Sequence, residues 1–452
     1  MAAMIHFECI IGKGCGCILV KGREGNMRRQ TRTRLLSRAA CLAAIGLLAL
    51  TVGGLALGRP ASATPGQATS ASSQTNLTWS TWGSSAANNR VWNKVAAMVT
   101  KNYPNIHITV QMSSFADYFT KLAIESASNS MPCIVSIQGQ RVPGFGQDLK
   151  SLNPLISGSK FQLGVFDPTI LKDFVVNGKQ LALPYDFGPE VIYYNKTLFK
   201  KFGLPLPTNT WTMAQFLKDA KAMTTSTTYG YTTYPWDDPF VWSVDLAGQN
   251  VYLQNGKLNL TSPAFVKAFT TYTDFVHSQH LAPVIPSTTD ADWDIDSQWQ
   301  LGSVGMVVDG PWDMSWDEST AKFQFGIAPM PAGPAGSLTV EAGSGYGISK
   351  NCNDDSAAWD AIQVMTGAAV GKYLGQIGQN FSARSAEQQY WLKSAVPGSA
   401  STIEYALAHA IPYETTANWD QVQHVMAQYA VTALNGTSSP KSVLDEITSQ
   451  VG

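Results

Sequence analysis

Three neighbouring stretches, 299-WQLGSVGMVVDGPWDM-314, 325-FGIAPMPAGP-334 and 343-GSGYGISK-350, decide how this chain is read. Leu301-Gly302-Ser303 closes an amphipathic segment, and its small residues suit a helix C-cap followed by a tight turn. Val304 to Asp309 is a short apolar run rich in β-branched residues, the pattern of a buried strand. Gly310-Pro311 stops that strand and presents Trp312 at its end. An indole delivered by a strand end is a flat platform on a rigid support, whereas one on a long loop would be mobile. Pro329 to Gly336 can continue neither helix nor strand and reads as a connector between two bodies.

Working outward, the chain alternates strands and helices. Leu77 to Trp82, Ile106 to Met112 and Cys133 to Gln138 read as strands. Ala86 to Tyr103 and Phe115 to Ser126 read as the helices between them, which implies a parallel sheet wound on helices. Ligands in such sheets lie beyond the carboxyl ends of the strands, where Trp82, Ser84, Gln138 and Gln140 fall. Lys179 to Asp186 reads as a further strand ended by Phe187-Gly188-Pro189, and Val191 to Lys196 as the next. Thr212 is placed to N-cap a helix. Tyr234-Pro235-Trp236-Asp237-Asp238-Pro239 forms an aromatic and acidic loop before a helix from Val241 to Ala247. Asp237 and Asp238 have a competing reading as a solvated helix start. Helices are also expected over 263–276, 354–365, 401–408, 420–434 and 442–451.

The first sixty or so residues are not fold. Five arginines between Arg28 and Arg38 precede a small and apolar run from Ala39 to Leu57, followed by Ala61-Ser62-Ala63. That is the pattern of an export signal cleaved after Ala63. Met27-Arg28-Arg29 is itself a natural start, so residues before Met27 read as an upstream extension. Residues 64–75 read as a flexible linker. A membrane anchor is the competing reading, because the apolar run nearly reaches spanning length. Cys41 lies at the start of the run, so no lipid attachment site is expected. Removing residues 1–63 takes away nine of the 31 basic and two of the 32 acidic residues, moving the net charge from −1 to about −8. That balance argues against nucleic acid or an anionic membrane surface as partner. Cys133 and Cys352 alone survive cleavage, compatible with a disulfide or with free thiols. Nothing in the pattern suggests a metal or cofactor.

The segments 182-ALPYDFGPEVIYYNKTLFKKFGL-204, 207-PTNTWTMAQF-216, 300-QLGSVGMVVDGPW-312, 325-FGIAPMPAGPAGS-337 and 343-GSGYGISKNCNDDSAAWDAIQVMTG-367 occur in that order. Together they resemble the extracellular solute-binding proteins of carbohydrate ABC transporters, the maltose-binding-protein type, from about Asn76 to the C-terminus. The resemblance implies a two-lobed α/β periplasmic-binding-protein-like fold with hinge strands and a ligand cleft between the lobes. It implies one lobe from 76–187 and 330–380 and another from 188–329 and 381–452. It implies a monomer, exported to the extracellular or periplasmic side, that binds a mono- or oligosaccharide and passes it to ABC permease subunits without catalysis.

By the same resemblance Trp312 is a stacking aromatic of the second lobe and Trp236 another cleft aromatic. Asp186 lies at the hinge, Gly343-Ser344-Gly345-Tyr346 is a glycine-rich loop facing the cleft, and Tyr185 and Arg384 are further candidates. This chain departs from the family in having Pro132-Cys133 where an acid often follows proline, and in lacking the usual pattern near Arg384. The residue types suit a sugar: indole faces cover its C–H faces, and Asp, Gln and Arg bond its neighbouring hydroxyls. Core packing is the competing reading for any tryptophan and the expected one for Trp79, Trp92, Trp211 and Trp359. A secreted glycoside hydrolase is the alternative class, and it requires two carboxylates about 5–10 Å apart across the scissile bond. A binder of another polyol or of a peptide is a third reading.

Overall fold

A computed structural model describes residues 74–83, 85–285 and 291–452; the expected export segment, most of the expected linker and Ser84 lie outside them. Among the described residues nine strands build two sheets. They are β1 Thr75–Trp82, β2 Ile106–Ser113, β3 Ile134–Gln138, β4 Ala182–Pro189, β5 Val191–Asn195, β6 Met306–Asp309, β7 Phe325–Ala328, β8 Thr339–Ile348 and β9 Ala410–Pro412. Two short ribbons, Val175–Val176 with Lys179–Gln180 and Leu253–Gln254 with Lys257–Leu258, stand apart. In the larger sheet β1 lies parallel between β2 and β3, and β8 runs antiparallel to both β3 and β4 and parallel to β9. The smaller sheet has β5 at its centre, antiparallel to β6 and β7. Helices Ala86–Asn102 and Phe115–Ala127 supply the β1–β2 and β2–β3 crossovers, so the expected winding is present.

Side-chain alternation explains why the smaller sheet is apolar throughout. Successive residues of a strand point to opposite faces. Val191, Tyr193, Val307, Phe325 and Ile327 enter one apolar core, and Ile192, Tyr194, Met306, Val308 and Ala328 enter another. A strand buried on both faces has to be apolar at every position, which is why Val304 to Val308 reads as one continuous run. Trp79, Trp92, Trp211 and Trp359 are buried as expected. Thr212 caps the helix Met213–Met223 by accepting from the Gln215 amide at 3.3 Å. Gly302 follows the helix Ala291–Gln300 at φ +77°, the left-handed conformation the small residues foretold.

Two expectations are corrected. The strand expected to end at Asp186 runs on to Pro189, carrying Phe187-Gly188-Pro189 inside the ladder with β8. Gly343 to Tyr346 is no loop but the middle of β8, buried between β3 and β4. Its glycines serve strand packing. A Cβ on Gly343 would lie 2.5 Å from the Asp186 carbonyl oxygen, and one on Gly345 2.7 Å from that of Leu183. Cys133, before β3, and Cys352, after β8, form a disulfide with Cα atoms 4.2 Å apart, closing a sequence separation of 219. Glu190 alone links β4 of the larger sheet to β5 of the smaller, and residues 329–338 lead back from β7 to β8.

Candidate functional site

Beyond the carboxyl ends of β1 and β3 the chain places an aromatic and cationic group. Trp82 is half-buried, with ring centroids 5.9, 5.3 and 5.7 Å from Phe115, Tyr118 and Phe119. The short turn Gly139–Arg141 follows β3 and turns Arg141 back over the Phe119 ring, 4.0 Å from its centroid. An arginine held over an aromatic face gains cation–π attraction while keeping its fork of donors free for oxygen acceptors. The Arg141 guanidinium donates to Gln138 Oε1 and, from Nε, to Asp420 at 3.0 Å. Burial pulls its pKa down, and Asp420 and Asp237 oppose that pull. Gln140 is buried, its carbonyl accepts from Thr415 Oγ1 at 2.8 Å, and its Oε1 has no hydrogen-bond partner among the described residues.

Facing this group is the turn before the helix Asp238–Ala247. Trp236 is half-buried with its ring 6.2 Å from Phe115 and 6.5 Å from Tyr234. Asp237 accepts from the Tyr413 hydroxyl at 2.6 Å and from Gln423 Nε2 at 3.1 Å. Burial pushes its pKa up to about 6 against those hydrogen bonds and the nearby Arg141. Asp238 accepts from Tyr231, Thr233 and the Tyr234 amide, and burial raises it to about 7. The solvated helix start is therefore corrected, since both acids are enclosed and each accepts hydrogen bonds from protein donors on one carboxylate oxygen. Trp312 stands half-buried at the end of β6, its indole folded back over Gly310, where a Cβ would lie 2.2 Å from the ring. Only glycine leaves room for that fold.

Phe115, Arg141 and Gln140 thus meet Trp236, Asp237, Tyr413, Thr415 and Asp420. Beside this junction lies a cavity of about 360 Å³ lined by Arg141, Gly144, Phe145, Asp148, Trp419 and Asp420, among others. Such a junction can stack a flat apolar face and satisfy hydroxyls in both directions, because it carries a cation, carboxylates and an amide.

Other sequence candidates lie elsewhere. Tyr185 and Tyr346 stack on each other in the core, with centroids 4.5 Å apart and ring planes 18° apart. Both are buried, which raises their pKa values. Asp186 accepts from the Ser344 amide at 2.8 Å and from Asn380 Nδ2. Its carboxyl therefore ties β4 to β8 and to the 380–382 segment rather than facing open space. Burial lifts it to about 7. Gly343, Ser344 and Gly345 are enclosed in β8. Arg384 is held by Glu387, Nε to Oε2 at 2.9 Å, above Phe166. Sequence reasoning missed Arg141 and Tyr413, and considered Glu190 only as one of four carboxylates, with Asp186, Asp237 and Glu341, available by type to a hydrolase. Arg141 carried a signal, being a cation just beyond the carboxyl end of a parallel strand in an acidic chain. Tyr413 carried none, because only the fold brings it to Asp237.

With this geometry in view, the relationship of the chain to known proteins is clear. The family model described as bacterial extracellular solute-binding protein matches residues 83–372, and the chain belongs to that family. It is accordingly an extracellular binder of solutes and not an enzyme. A probable ABC transporter-binding protein of Deinococcus radiodurans is 24% identical over 328 residues, 68% of this chain and 77% of that protein. The maltodextrin-binding protein MdxE of Bacillus subtilis is 22% identical over 254 residues, covering 52% of this chain and 57% of that one. Among solved structures, an ABC substrate-binding protein of Listeria monocytogenes in complex with cycloalternan superposes with TM-score 0.76 at 22% identity, over 84% of this chain and 98% of that one. Maltose-bound T. maritima MalE3 superposes with TM-score 0.72 at 21% identity, over 83% and 98%. These likenesses establish the two-lobed α/β fold.

Proposed function

We propose that this protein binds a mono- or oligosaccharide outside the cytoplasmic membrane and delivers it to an ABC permease by closing two lobes around it. The observation that carries the reading is the junction at which Arg141 and Phe115, following β3 and β2, meet Trp236 and Asp237 from the second body of the chain. Aromatic faces beside paired charged groups suit a ligand with C–H faces and a rim of hydroxyls. The names of relatives agree, since they include proteins for maltodextrin and for arabinooligosaccharide. On this reading the lobes comprise 76–187 with 330–380 and 188–329 with 381–452. The chain is exported and its signal removed after Ala63, and the protein acts as a monomer. Trp82, Ser84, Gln138, Gln140, Trp236, Asp237 and Trp312 remain the proposed ligand contacts, now joined by Arg141. Tyr185, Asp186, Gly343 to Tyr346 and Arg384, enclosed or paired within the fold, are not among them.

A thermal-shift screen against mono- and oligosaccharides tests the proposal. A ligand that binds only the folded state raises the melting temperature, by about 2.7 kcal/mol of stability at a hundredfold excess over Kd. A folded protein that no sugar stabilises would refute it. Solution scattering tests the closure: the radius of gyration falls at saturation if the lobes close, and stays constant if they do not.

A further inference from the structure

Among the described residues, five carboxyl groups act on one another around Gly310-Pro311-Trp312: Glu190 from the link between β4 and β5, Asp296, Asp309 at the end of β6, Asp313 and Asp317. None of the five takes part in an ion pair among the described residues. The charges acting on them are chiefly one another's. Asp313, Asp317 and Glu190 act on Asp309, and Asp296 acts on Asp313 and Asp317. Asp296 accepts from the Tyr234 hydroxyl at 2.6 Å and Asp309 from the Gly310 amide at 2.6 Å.

Glu190, contributed by the link between the two sheets, is the member that points to a ligand. It is 5% exposed, its carboxyl group accepts no hydrogen bond among the described residues although its backbone carbonyl accepts from Thr339 Oγ1 at 2.8 Å, and it is faced by Asp237, Asp238 and Asp313. Enclosing a carboxyl group without a donor is costly, and further carboxylates around it add to the cost. Protein cations do not offset it: Arg141, which acts on Asp237, is paired with Asp420. Beside this group stands the half-buried Trp312, whose ring face attracts cations. Unpaired carboxylates next to an indole are the complement of an ammonium group.

We infer that the sugar held at this site carries a basic nitrogen, as an amino sugar does, with its ammonium group among Glu190, Asp309 and Asp313 beside Trp312. The inference rests on the sugar-binding reading and narrows its ligand class. The ammonium group donates to the cluster and stabilises its ionised form, so the acids give up the protons that burial and their neighbours hold on them in the free protein. An N-acetylated or neutral sugar brings no charge and leaves Glu190 unmatched.

Calorimetric titration of the purified protein at pH 7 tests this with glucosamine oligosaccharides, their N-acetylated counterparts and neutral gluco-oligosaccharides of equal length. The expected result is affinity for the amino form at least about tenfold above that for the other two. Glu190→Gln and Asp313→Asn, made separately so that one misfolding variant does not end the test, are each expected to narrow that preference. Neutral or N-acetylated sugars binding as tightly as the amino form would overturn the inference while leaving sugar binding intact. Binding of no sugar of any class would overturn both.

Discussion

Removing the Cys133–Cys352 bridge should cost this protein much of its stability, and the size of the loss follows from chain topology. The bridge closes a sequence separation of 219 and joins the start of β3 to the turn after β8. The intervening chain contains the entire smaller sheet. In the chain-entropy model a loop of this length loses roughly 5 kcal/mol of denatured-state freedom, an upper value because denatured chains retain structure. At about 2–4 °C per kcal/mol for units of 150–250 residues, a loss of 3–5 kcal/mol lowers the melting temperature by roughly 6–20 °C. The assay is differential scanning calorimetry of the oxidised protein, of the protein in reductant, and of the Cys133→Ala/Cys352→Ala double variant. Reductant and double variant should agree, because both remove the same constraint. A melting temperature unchanged in both would refute the reasoning, since a bridge across this topology cannot be thermally silent under that model.

Three further outcomes follow from the structure. Burial raises Asp186, Asp238 and Asp313 to about 7, and Asp173 and Asp317 to about 8, all above the usual carboxylate range. The folded state therefore holds protons that the unfolded chain has released, so stability falls as pH rises from about 4 to about 8. Melting curves across that range should show the higher values on the acid side, and the opposite slope would contradict the burial of these acids. Gly345→Ala places a methyl group 2.7 Å from the Leu183 carbonyl oxygen and should cost roughly 1–3 kcal/mol in urea unfolding. Gly158→Ala meets nothing within 4 Å and should be neutral or stabilising by about 0.5–1 kcal/mol, so equal effects at the two sites would refute the packing argument. Trp312→Ala should weaken sugar binding by roughly 2–4 kcal/mol in a calorimetric titration while leaving the protein folded.

The fold was legible where the apolar pattern is one-dimensional. Val304 to Val308 has no polar interruption because both faces of β6 are buried, and the β1–β3 crossovers carry helical spacing between strands. The glycines of β8 misled because glycine has two uses, to let a ligand approach and to let a neighbouring strand approach. Only the observed 2.5 Å from a Gly343 Cβ to the Asp186 carbonyl oxygen separates them. Phe187-Gly188-Pro189 looked like a strand end for a similar reason. A Cβ on Gly188 would meet Pro311 at 2.4 Å, so that glycine answers to tertiary packing and not to local turn chemistry. Trp312 and Trp236 were legible as aromatics at element ends. The partnerships of Arg141 with Asp420 and of Asp237 with Tyr413 were not, because 279 and 176 positions separate the pairs and no local pattern records them.

The central claim is that the chain holds a sugar without changing it. Calorimetric titration of the purified protein with the best-stabilising sugar of the thermal-shift panel, followed by chromatography of the recovered ligand, tests it most directly. Saturable binding at one site per chain with the sugar recovered intact is the expected result. A panel that yields no binding sugar, or a bound sugar recovered in pieces, would contradict it.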